Sequence, residues 1–182
     1  MLLRNTPNGY GLVSRFNHWA TAAAMLATLG LGFILEEFDE HGAGGETLFY
    51  LHASLAVLVM GLVLLRILWL PLGGSAPAER AVAGWQSLLA RGTRAALWFC
   101  MIAMPLSGWL MASAEGEPVG LFGLLQLPIL DTGHALGEVA EEVHESLPGV
   151  FIAALLLHVA GALFHHFVEG DDTLKRMTSG PG

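Results

Sequence analysis

Four histidines interrupt runs that are otherwise almost wholly apolar: His18, His52, His144 and His158. The last two lie fourteen residues apart within Glu142–Glu169. In a helix, fourteen residues fall about 40° short of four turns and rise about 21 Å, so both imidazoles share one stripe at two depths. Ionisable side chains inside a membrane-spanning helix are expensive and usually functional. His18 opens the first apolar run and His52 the second, so they fall at opposite depths. By depth, His52 pairs with His144, and His18 pairs with His158. Each pair joins two different helices, as a flat macrocycle wedged between helices requires. Two histidines on one iron close both axial positions, which suits a haem to passing single electrons rather than binding oxygen. Two such haems at two depths would form an electron path across a bilayer.

Other readings of these residues exist. A lone intramembrane histidine can bond a backbone carbonyl, and proton relays and transport paths also use histidine. Four histidines matched in depth favour haem. His165 and His166 lie near the stripe of His144, beside Glu169, where a cation at a helix C-terminus is mildly favoured. They read as interfacial side chains, with a role beside the inner haem or in proton delivery as the alternative. His41 and His134 fall in loops and read as solvated. Arg66 follows His52 by fourteen residues. It shares that stripe near the inner face, where it reaches the propionates of the inner haem or snorkels to lipid phosphate. Trp19, Trp69, Trp85, Trp98 and Trp109 fit interface anchors, and Trp19 could also stack near the inner haem.

The elements that must position these residues are membrane helices. Of the 182 residues, 54% are hydrophobic and 13% charged, and the mean hydropathy is +0.59. This composition belongs to a membrane protein. The expected spans are about 18–36, 48–70, 94–113 and 142–168, giving an all-α integral membrane four-helix bundle as a single domain, 1–182. Pro105 falls inside the third span and is expected to kink it, which neighbours can compensate in a membrane. The connection 71–92 has an amphipathic middle around Trp85–Leu89. In the longest loop, the segment LFGLLQLPIL is expected at the interface, and the fourth helix is expected to begin near Thr132. After a short polar arm, the first apolar run reads as a retained span, not a removed signal peptide. The single Cys100 excludes an intrachain disulfide framework. There is no Cys-x-x-Cys-His for covalent haem attachment. A net charge of −8 argues against nucleic acid.

Charge sets the orientation. All eight Lys and Arg residues fall on one side of the four spans: Arg4, Arg15, Arg66, Arg80, Arg91, Arg94, Lys175 and Arg176. By the positive-inside rule both termini are expected in the cytoplasm.

The opening RNTPNGYGLVSRFNHW, the third-span MPLSGWLM and the closing HESL…LHVAGALFHHFVEGDDTLKRM resemble the bacterial cytochrome b561 family. This is the di-haem, four-helix membrane group that includes the superoxide:quinone oxidoreductase. The likeness covers nearly the whole chain. It implies two non-covalent haem b groups, with the family's axial ligands falling on His18, His52, His144 and His158. It thereby selects His158 over His165 or His166. It also implies ubiquinone as a partner within the lipid.

The donor is a separate question. The loops opposite the cationic side, with the start of the fourth span, carry twelve Asp and Glu and no Lys or Arg. Such a field repels superoxide and attracts cations. It suits a basic periplasmic partner such as a small c-type cytochrome. The expected function is a di-haem electron carrier between a periplasmic donor and the quinone pool, as a quinone-linked oxidoreductase or an electron-transfer subunit. The alternatives are a superoxide:ubiquinone oxidoreductase, or a cytochrome b anchor for the soluble subunit of a hydrogenase or dehydrogenase. A non-redox transporter would require that no haem be present.

Overall fold

The computed structural model describes residues 2–37, 43–75 and 84–179. Asp39, Glu40 and His41 of the acidic loop, and Arg80 of the cationic side, lie outside the described residues. Among the described residues the chain is helical but for one small hairpin and an isolated bridge between Thr6 and Gly9. Its long helices are α1 (Leu12–Leu35), α2 (Ala43–Trp69), α3 (Gly84–Glu115) and α4 (Gly133–Phe167), and a short α5 (Thr173–Thr178) follows. Each long helix is long and apolar enough to cross a membrane. Large apolar side chains stand outward along them, among them Phe16, Leu64, Phe99 and Leu156. That is costly in water and neutral in lipid.

The helices outrun the apolar spans. α1 starts six residues before His18, and α3 starts at Gly84, so the amphipathic stretch Trp85–Leu89 is its first turns rather than a connection. Between Trp85 and Arg91 no Gly or Pro interrupts a run of good helix formers, so the helix continues past the membrane part. α4 begins at Gly133, beside the expected Thr132. α3 and α4 run through Pro105 and Pro148, each of which removes one helical N–H donor.

By packing, the chain forms two compact units, each assembled from pieces of all four long helices. The first holds Met1–Ala20, Leu64–Phe99 and Val150–Gly182. Here the N-terminal arm is tied down by backbone and side-chain bonds. Asn5 N–H donates to the Gly73 carbonyl at 2.7 Å, and Leu12 N–H to the Leu2 carbonyl at 2.9 Å. Trp69 Nε1 donates to Ser14 Oγ at 3.2 Å. Arg15 donates to the Thr178 carbonyl, and Trp19 Nε1 to the Met177 carbonyl at 3.1 Å. The last two bonds hold α5 against the start of α1.

The second unit holds Thr21–Val63 and Cys100–Gly149. Its apolar core is Ala53, Val57, Ala112 and Val119, with Phe49, Trp109, Leu121 and Leu127 packed against it. The hairpin pairs β1 (Gly120–Leu121) with β2 (Leu125–Gln126). Phe122 and Gly123 turn it with φ of 46° and 73°, positive values that suit the twist of a tight hairpin. Ser54 Oγ accepts from Phe122 N–H at 3.2 Å, and Trp109 Nε1 donates to the Pro128 carbonyl at 3.1 Å. The segment expected at the interface is thus divided. Leu121 and Leu127 face the helices, while Leu124 is 85% exposed.

Candidate functional site

In the first unit, α1 presents His18 and α4 presents His158, with ring centroids 6.2 Å apart and planes at 56°. In the second, α2 presents His52 and α4 presents His144, with centroids 6.1 Å apart and planes at 81°. All four rings are half-buried. The spacing can be compared with what one iron needs. An imidazole nitrogen binds a first-row metal at about 2.0–2.1 Å and the ring centroid lies about 1.1 Å behind it, so two rings on one iron stand about 6 Å apart. Both pairs therefore fit a shared metal between them. A direct imidazole–imidazole hydrogen bond would bring the ring centroids to about 5 Å, closer than either pair stands.

The second pair has its ring nitrogens assigned by hydrogen bonds. His52 Nδ1–H donates to the Thr28 carbonyl of α1 at 3.0 Å. His144 Nδ1–H donates to the Met104 carbonyl of α3 at 3.0 Å. Ser107 Oγ donates to that same carbonyl at 3.0 Å and lies 3.2 Å from His144 Nδ1. With Nδ1 carrying the proton, Nε2 keeps its lone pair for a metal, as ligating histidines generally arrange. This donor set is the chemistry a haem iron requires.

The first pair has cationic and aromatic neighbours. His18 meets Trp19 edge-on, with centroids 5.2 Å apart. Arg66 of α2 lies within electrostatic reach of both His18 and His158, and Arg94 of α3 within reach of His158. The Arg66 guanidinium rests over the Trp98 ring, 5.2 Å from its centroid. Such stacking holds a cation on apolar surface and leaves its N–H edges free for an anionic group.

His165 and His166 close α4. His165 Nδ1 lies 2.8 Å from Glu169 Oε2 and 3.2 Å from Asp171 Oδ2, and all three side chains are largely buried. His165 is thus caged by carboxylates rather than free at an interface. His166 Nδ1 is buried and has no hydrogen-bond partner among the described residues. His134 is solvated, with an exposed contact to Glu138 at 3.4 Å.

Sequence reasoning missed Thr28, Met104 and Ser107. Thr28 and Met104 act through their carbonyls, which no residue type announces. Ser107 stands within MPLSGWLM, so a signal was present, but it carried no role.

Residues 9–180 match the family described as prokaryotic cytochrome b561. The chain is 30% identical over 179 residues to cytochrome b561 homolog 2 of Escherichia coli (strain K12), covering 97% of this chain and 95% of that protein. It is 26% identical over 93 residues to cytochrome b561 homolog 1 of the same organism, covering 51% of this chain and 53% of that protein. With four membrane-length helices and two facing pairs of imidazoles, the chain belongs to the prokaryotic cytochrome b561 family, a family of bacterial haem-b membrane proteins that transfer electrons.

Proposed function

We propose that this protein binds two haem b groups and passes single electrons between a donor on the periplasmic side and the quinone pool. The observation that carries the reading is the pair of facing imidazole couples, each with the centroid separation that two rings on one iron need and each drawn from two different helices. His18 with His158, and His52 with His144, would hold the two haem irons. A bis-histidine haem, when bound, supplies one-electron redox chemistry with its metal closed to added ligands. The chain's own residues do the rest. Thr28 and Met104 hold the His52 and His144 rings in the tautomer that leaves Nε2 free. Arg66, braced on Trp98, would offer its cation to the propionates of the haem held by His18 and His158. The apolar helix faces exclude water from both sites.

Orientation follows the positive charges, which put both termini and the His18–His158 pair on the cytoplasmic side. Quinone belongs with that pair. An apolar groove of about 680 Å³ runs between the first turns of α3, Trp85 to Ala96, and the middle of α4, Val150 to Leu157, the residue before His158. Quinone reduction takes up two electrons and two protons, and His165 near the end of α4 lies against Glu169 and Asp171 just beyond it, a cluster of titratable side chains. The acidic periplasmic loops favour a basic protein donor over superoxide.

The test is a pyridine haemochrome assay with a reduced-minus-oxidised spectrum on the purified protein. About two b-type haems per chain with low-spin bands support the reading. One haem removes one of the two pairs. None, with adequate haem supply during expression, removes the redox function.

A further inference from the structure

α3 supplies no histidine to either pair, yet its MPLSGWLM stretch is wrapped around one. The Met104 carbonyl accepts from His144 Nδ1–H at 3.0 Å. Gly108 lies one turn further along, and a Cβ built there would come within 2.9 Å of His144 Cε1 and 3.2 Å of its Nδ1. Real Cβ atoms do not approach that closely, so any side chain at 108 would push the ring away. The same arrangement recurs on α1. The Thr28 carbonyl accepts from His52 Nδ1–H at 3.0 Å. Gly32 lies one turn further along, and a Cβ there would meet His52 Cε1 at 3.2 Å.

The local physics explains the spacing. A helical carbonyl points toward the C-terminus, and the Cβ of the residue four positions on leans back over it. An ordinary side chain at that position shields the carbonyl from a neighbouring helix. Glycine removes the shield, so a ring on another helix can lie against the bare backbone and donate to the carbonyl as a second acceptor bond. Gly30, two residues from Gly32 on the same helix, has nothing within 4 Å of its Cβ position. Proximity to the rings is thus a property of Gly32 and Gly108, not of small residues on these helices generally. At α3 the seat has an extra restraint, because Ser107 Oγ lies 3.2 Å from His144 Nδ1 while donating to the Met104 carbonyl at 3.0 Å.

We infer that Thr28 with Gly32, and Met104 with Gly108 and Ser107, form two carbonyl–glycine seats whose glycines are positioning residues for His52 and His144. They set the rotation of each ring and the electron density on its Nε2. This inference rests on the proposed di-haem reading. The seats serve the His52–His144 pair alone, so their loss changes one haem and leaves the other.

The test uses full-length, haem-loaded protein with Gly108→Ala, Gly32→Ala and, as control, Gly30→Ala. Low-spin ferric electron paramagnetic resonance and a potentiometric titration are read on each. The signal lost in His144→Ala identifies the haem of that pair. The expected result is graded. Gly108→Ala moves that signal and shifts its midpoint positive, because a displaced ring loses its Nδ1–H bond to the carbonyl and donates less to the iron. Gly32→Ala does the same to a smaller extent, and Gly30→Ala changes nothing. The signal of the His18–His158 pair stays in place throughout. If Gly108→Ala does not fold, Ser107→Ala carries the test, with the same signal expected to move or broaden. Glycine variants that leave both signals unmoved, or move both alike, overturn the inference. Wild-type protein with fewer than two haems instead overturns the underlying reading, and that is seen before any variant is made.

Discussion

His158→Ala probes the pairing most directly. The substitution removes one of two imidazoles that face each other at 6.2 Å and leaves His18 as a single ligand. A site with one axial ligand missing loses low-spin coordination, so haem content is expected to fall from about two per chain to about one. The α-band of the reduced-minus-oxidised spectrum should fall by roughly half with it. The remaining half is protected by construction. Thr28, Gly32, Met104, Ser107 and Gly108, which seat the other two histidines, all belong to the unit of Thr21–Val63 and Cys100–Gly149. His158 belongs to the other unit. Nor should the fold fail, since alanine is the best helix former and the position is only half-buried. The assay is haemochrome stoichiometry with circular dichroism on the same sample. Equal fractional loss of both haems from a helical protein would refute the pairing, and so would retention of both.

Three further outcomes are expected. Arg66→Ala removes a stack on Trp98 worth about 0.5–2 kcal/mol. It should lower the midpoint of the His18–His158 haem, Arg66→Lys should lower it less, and no change in either would leave Arg66 a lipid-facing anchor. With a basic c-type cytochrome as donor, the reduction rate should fall steeply between low and 0.5 M salt as screening shortens the field. A flat profile, or fast superoxide-dependent quinone reduction, would count against the acidic-face reasoning. The ring planes stand at 81° in one pair and 56° in the other. More nearly perpendicular axial rings give the more axial ferric signal, so the signal lost in His144→Ala should have the larger principal g value.

Much of the fold was legible because lipid imposes length and apolarity on helices, and these are visible in composition. His144 and His158 were legible as a stripe because helical period converts a spacing of fourteen into one face. Helix ends were less so. α3 absorbs Trp85–Leu89 because an amphipathic helix can continue beyond the membrane, where apolar run length no longer marks it. The hairpin was hidden because its turn needs a left-handed φ at Phe122, a residue that rarely adopts one. The seats were hidden most deeply. They consist of two backbone carbonyls and two missing side chains, and neither has a residue type that names its use. Arg66 was legible as a cation near His18 and His158, but its brace, Trp98, required tertiary contact to find.

The two pairs differ in what surrounds them, and the difference has a sign. His52 and His144 give their Nδ1 protons to carbonyls. That raises the basicity of Nε2 and stabilises the ferric state, which lowers a midpoint potential. His18 and His158 instead have Arg66 in reach, and His158 has Arg94 as well. A cation stabilises an added electron. One unit charge at about 10 Å through an effective dielectric of about 20 contributes about 1.7 kcal/mol, or roughly 70 mV for a one-electron couple. Both effects act in the same direction, so the His18–His158 haem should lie above the His52–His144 haem by on the order of 100 mV. Under the proposed orientation, an electron from a periplasmic donor would then move downhill toward the His18–His158 pair and on to quinone. A potentiometric titration assigned with His144→Ala and His158→Ala checks the order. The reverse order would mean that net flow runs uphill within the protein, and that the donor or quinone gradient, not the placement of Arg66 and the carbonyl seats, sets its direction.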